Sequence, residues 1–169
     1  ILDRLVGSEM CIRDRYGTEA LSTLRIEMGH VAGSELDGRT IPYDNALEGL
    51  VSKKKDFIGK RSLQRSAFIS ENRQRIVGVV PIDKKTSIPE GSHLVKDDKA
   101  PLPNPKLGHI SASCWSVEYD NPFSLAILKD GKNMIGQKLF AMSPLKNKVI
   151  PVEIVSSHYV DPKGERVRS

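Results

Sequence analysis

The sequence predicts an α+β chain in which helical segments give way to a small antiparallel β-barrel. Three observations predict it. Apolar residues near the start recur at helical spacing. From residue 74 onward the period changes from 3.6 to 2. Six short apolar runs there are divided by Pro, Gly, Asn and Asp, the punctuation of tight turns. Six strands of that length suit a small antiparallel sheet or barrel. With 169 residues, 38% hydrophobic and 28% charged, the chain is long enough for a sizeable core and is not a disordered tail.

The elements follow in order. In TEALSTLRIEM, residues 18–28, Ala20, Leu21, Leu24 and Met28 form one helical stripe, with Thr18 as N-cap. Gly29 follows as the C-terminal stop. Residues 29–45, GHVAGSELDGRTIPYDN, are rich in glycine and acids and read as a loop. Asp56 then caps a second helix carrying Ile58, Leu63 and Phe68. The polar stretch ISENRQ, residues 69–74, marks a boundary. Strands are expected over residues 75–82, 93–96, 107–116, 124–129, 138–143 and 149–157.

Composition removes several classes of function. No apolar run approaches the roughly 20 residues of a membrane-spanning helix. The net charge is +5, but basic and acidic residues alternate, and only Lys53, Lys54 and Lys55 form an unbroken run. Nucleic-acid binding calls for a basic stripe with interleaved aromatics, and aromatics are 5%. Neither a membrane nor a nucleic acid is therefore an expected partner.

Residues 1–15 stand apart. A transposase sequencing adapter read as CTC GTG GGC TCG GAG ATG TGT ATA AGA GAC translates to LVGSEMCIRD, the residues at 5–14. The expectation is that residues 1–15 are adapter-derived and lie outside the fold. The native chain would then continue upstream of Tyr16. Cys11 belongs to this stretch, which leaves Cys114 with no internal disulfide partner. That pattern suits a reducing cytoplasm.

No catalytic constellation emerges from the residues alone. His30, His93, His109 and His158 lack metal-ligand spacing, and no CxxC or GxGxxG is present. Cys114 sits mid-strand beside Trp115, a position that suits a small core residue rather than a nucleophile. The Asp97–Asp98 pair lies in a turn. Arg25 is the most informative charge, on an otherwise apolar helix directly before the acidic loop. Two readings are open: a bidentate grip on a ligand carboxylate, or an ion pair with Glu27, Glu35 or Asp37.

Several segments resemble a known family. TLRIEMG, Thr40-Ile41-Pro42 and DFIG, in that order, are similar to the closing segment of the folate-binding domain of aminomethyltransferases, the T-protein of the glycine cleavage system. YGTEAL, RIEMGHVAG, ELDGRT and VSKKKDFIGKRSL resemble more specifically the alpha subunits of heterotetrameric sarcosine oxidases. LGHISASCWS and PVEIVSSHYVDPKGER resemble their last strands and tail.

The resemblance implies a C-terminal fragment of a larger subunit. Residues 16–73 would close the folate-binding aminomethyltransferase domain, and residues 74–169 would form its C-terminal β-barrel domain. It implies an oxidoreductase whose alpha subunit passes the one-carbon unit of oxidised sarcosine to tetrahydrofolate. Flavin and NAD would bind elsewhere in the complex, and the beta, gamma and delta subunits would be partners. The catalytic residues would lie upstream, so none is assigned here, and the fragment alone would be inactive. Arg25 matches the family's ligand-contacting arginine, and Tyr159 falls near an aromatic ligand contact; both are expected at the folate. With that implication Arg25 is expected to border an open cleft rather than to meet a carboxylate of the chain. Trp115 is expected in the barrel core. The rival enzymes are the T-protein itself or a dimethylglycine dehydrogenase relative. A rival of another class is a non-catalytic folate-binding or subunit-assembly module.

Overall fold

In a computed structural model describing residues 17–70, 72–99, 105–166 and 168, the period-2 runs become six strands. They are β1 (Gln74–Pro81), β2 (His93–Val95), β3 (Gly108–Ser116), β4 (Asn121–Lys129), β5 (Lys138–Ser143) and β6 (Lys148–Val155). They close into a barrel in the order β1-β4-β3-β2-β5-β6, every pair antiparallel. Closure leaves no sheet edge open to pair with another chain. The adapter reading of residues 1–15, including the packing of Leu5, Val6 and Ile12, lies outside the described residues.

Alternation along the strands sends one set of side chains inward. Val79, Leu94, Ile110, Leu128, Val152 and Ile154 lie in the barrel's interior cluster. The opposite set does not meet water everywhere. Ile76, Val80, Ala112, Phe123 and Leu125 form a second apolar cluster, on the outer wall, and Ile26 lies across it. This is why eight of the nine residues of β4 are buried, a pattern that one-sided burial would not give. A bulge at Ser111 shifts the register between β3 and β4, and the Ser111 hydroxyl donates to the Leu125 carbonyl at 3.2 Å.

Helix α1 (Thr18–Glu27) supplies the cover. It ends in a Schellman motif: His30 N–H donates to the Arg25 carbonyl at 2.8 Å, and Gly29 N–H to the Ile26 carbonyl at 3.0 Å. Gly29 takes φ +69°, and a Cβ there would stand 2.5 Å from the Ser157 carbonyl oxygen. Glycine is required twice over, by conformation and by space.

Several local expectations are corrected. Thr18 is the first helical residue rather than the cap; Gly17 holds that position, and it makes no side-chain cap hydrogen bond. The expected apolar stripe does not face the barrel. Leu21 and Leu24 are each 51% exposed, and the last turn instead buries Ile26 and Glu27. The buried residues of the helix are confined to its C-terminal end, so tertiary contact there overrides the pattern along its length. The second helix is broken into α2 (Lys60–Leu63) and α3 (Ser66–Ile69). Gly59 precedes α2 at φ +96°, and Arg65, with ψ 141°, separates the two. Asp56 binds Lys60 Nζ at 2.9 Å instead of capping a helix, and Ile58 stands fully exposed. Trp115 is 47% exposed at the end of β3, outside the barrel core.

Candidate functional site

The charged residues of α1 and the loop that follows converge beside the outer apolar cluster. Arg25 lies in the last turn of α1, and its Nη1 donates to Glu35 Oε2 at 3.2 Å and to the His30 carbonyl at 3.4 Å. Glu35 is completely buried. Its Oε2 also accepts the Ala32 N–H at 2.9 Å, and its Oε1 accepts the Ser34 hydroxyl at 3.1 Å. A buried carboxylate needs such a set of donors, and the one-turn helix at Gly33–Glu35 aims them at it.

Of the two readings open for Arg25, the chain's own carboxylate is therefore present. The expectation of a cleft in place of a carboxylate is corrected, because Glu35 is sequestered and requires a cationic partner. The pairing occupies one corner of the guanidinium. The side chain keeps 22% of its surface, and among the described residues neither Nε nor Nη2 makes a hydrogen bond.

Tyr159 is engaged within the fold. Its ring stacks on Phe123 at 4.2 Å, nearly parallel, and meets Tyr119 edge-on at 4.6 Å. Its hydroxyl accepts from Asn121 Nδ2 at 3.0 Å. Nearby, Glu27 is buried and its Oε1 accepts the Val117 N–H at 3.1 Å. Cys114 packs against the same cluster. Burial pushes its thiol up to about 12; the Glu27 carboxylate adds to that shift and Arg25 opposes it. At neutral pH it is a protonated thiol, not a nucleophile.

A polar cleft of about 460 Å³ lies where the loop meets the barrel, lined by Ser34, Asp37, Arg39, Lys106 and His109 among others. Arg39 there donates from Nε to Asp37 Oδ2 at 2.8 Å, which holds that carboxyl below its ordinary range. Burial, then Lys106, His93 and Arg39, hold the His109 imidazole below its ordinary value; Glu35 opposes. Among the described residues, no three His, Cys, Asp or Glu side chains converge as metal ligands, and no helix is long and apolar enough to cross a membrane.

Sequence reasoning named Glu35 as one of three partners for Arg25 but did not single it out. The signal available was its place three residues after Ala32, where a glutamate reaches back to the backbone of a tight turn. The buried role of Glu27 carried no such signal.

No protein-family model matches the chain. Known proteins do. The sarcosine oxidase subunit alpha of Rhizobium meliloti (strain 1021) is 37% identical over 154 residues, covering 90% of this chain and 16% of that protein. The sarcosine oxidase subunit alpha of Corynebacterium sp. (strain U-96) is 35% identical over 154 residues, covering 89% of this chain and 16% of that protein. Among solved structures, the glycine cleavage system aminomethyltransferase T from Bartonella henselae superposes with a TM-score of 0.68 at 22% identity. That match covers 85% of this chain and 38% of the other. The α+β class and the barrel are thus those of an aminomethyltransferase T structure. The chain is homologous to the sarcosine oxidase alpha subunits over a section that spans 16% of their length.

Proposed function

We propose that the chain is the C-terminal section of a sarcosine oxidase alpha subunit. In this reading residues 16–73 close its folate-binding half, and residues 74–169 are its C-terminal barrel. The observation that carries the reading is the 37% identity to such a subunit across 90% of the chain. The beta, gamma and delta subunits would be its partners. Flavin and NAD would bind in other parts of the assembly.

Tetrahydrofolate, when bound, accepts the one-carbon unit released as sarcosine is oxidised. The chain's part is to bind and orient it. The unbonded edge of Arg25 fits that task, because a planar guanidinium takes a carboxylate such as folate's glutamate through two parallel N–H donors. Glu27 and Glu35 are already engaged and buried, so neither is assigned a proton-transfer role. Tyr159 fastens the cluster beneath α1 through its ring and hydroxyl partners, and in this reading the part of it left exposed would meet folate. With the catalytic residues upstream, the chain alone is expected to show no sarcosine oxidation.

The experiment is a titration of the isotope-labelled chain with tetrahydrofolate, followed by nuclear magnetic resonance, which detects weak binding to a partial site. The Arg25 Nε–H signal should shift saturably, and Arg25→Ala should weaken binding by about 1.5–3 kcal/mol, the worth of a charge-assisted contact. An unmoved Arg25 signal, or equal affinity in the variant, would return Arg25 to a purely structural ion pair.

A further inference from the structure

We infer that Glu35 is a positioning residue that fixes which edge of Arg25 is offered to ligand, an inference that rests on the folate reading of Arg25. Three observations carry it. Glu35 is completely buried, yet sits on a surface loop and is bonded by three donors, two of which (Ala32 N–H and Ser34 OH) belong to its own turn. Those two hold the carboxylate independently of Arg25. The third donor is Arg25 Nη1, so the guanidinium is gripped at one end by a group that cannot itself move freely. What remains is the Nε–Nη2 edge, unbonded among the described residues on a side chain that is 22% exposed.

The physical consequence is a selection of orientation. An arginine side chain left to itself samples many rotamers and loses that freedom on binding. Fixed at Nη1, it presents a two-donor edge already aligned, and a carboxylate gains both bonds at a lower entropic cost. A second contact of the same nitrogen, to the His30 carbonyl, reinforces the choice of edge. Glu35 touches no ligand in this arrangement; it acts through Arg25, as an outer-shell partner acts through the group it orients.

The test compares the chain with Glu35→Gln, which keeps shape and acceptor oxygen but removes the charge. Glu35→Asp, which keeps the charge one methylene short, is the second variant. Each is titrated with tetrahydrofolate and with tetrahydropterin, which lacks the benzoylglutamate carboxylates. The expected result is about tenfold weaker tetrahydrofolate binding in both variants, with tetrahydropterin binding unchanged. Adding Glu35→Gln to Arg25→Ala should cause no further loss, because the two act through one contact. A lowered melting temperature with unchanged tetrahydrofolate affinity would overturn the inference, as would a full additional loss in the double variant. If Arg25→Ala binds tetrahydrofolate as the unaltered chain does, the folate reading itself fails, and that outcome is separate from the others.

Discussion

The backbone carbonyl of Glu27 accepts the N–H of Tyr159 at 3.1 Å and that of Val160 at 3.0 Å, so the end of α1 is strapped to the segment after β6. The same residue's carboxylate receives the Val117 N–H from the end of β3. Three distant stretches of chain therefore meet at one helix terminus. This fastening holds Arg25, two residues earlier, against the barrel wall.

Gly29 is the tightest point of that fastening. Replacing it with alanine places a Cβ 2.5 Å from the Ser157 carbonyl oxygen, at a backbone φ of +69°. Gly29→Ala should lower stability by about 2–3 kcal/mol. Urea denaturation followed by circular dichroism measures it. The Schellman bonds of α1 should be lost with little change in the barrel.

Cys114 should be slow to react while the chain is folded, because its thiol is pushed up to about 12 by burial and by Glu27. With Cys11 replaced by serine, labelling by a disulfide reagent near pH 8 should run about a hundredfold or more slower than in a denatured sample. Native labelling as fast as the denatured rate would contradict the buried placement.

His109 sets a direction for pH dependence. Its folded imidazole is held below the ordinary value of 6.5 by burial first, then by Lys106, His93 and Arg39. The unfolded chain therefore binds the proton more readily, and stability rises with pH wherever the unfolded form takes up more protons. The contribution is intact above the ordinary value and is lost as pH falls through and below it. The melting temperature should drop between about pH 7.5 and about pH 5, and His109→Gln should make that drop smaller.

The barrel was legible because its signal is local. Period-2 alternation and turn residues at YDNP and KDGKN mark strands that were found within a few residues of their expected bounds. The outer wall was not legible, because burial there depends on what lies across it. Leu21 and Leu24 look like a core stripe and are half-exposed, whereas Glu27 looks like a surface residue and is buried. Trp115 failed for the same reason: it stands 47% exposed although Ser116, the next residue of its strand, is buried. At the candidate site, Arg25 stood out from its position in the sequence, but its pairing with Glu35 needed the fold of the Gly33–Glu35 turn. Tyr159 was singled out as a folate contact by resemblance alone; its partners Phe123 and Asn121 come from β4, which no local pattern connects to it.

The central claim is that the chain is a section of a sarcosine oxidase alpha subunit, and the source DNA upstream of codon 16 tests it most directly. Sequencing across that junction should replace residues 1–15 with different codons. The reading frame should then continue upstream through the front of a folate-binding domain, with its aspartate, to a GxGxxG dinucleotide-binding region. An initiator methionine close to Tyr16, preceded by stop codons, would contradict the claim and leave a stand-alone barrel protein.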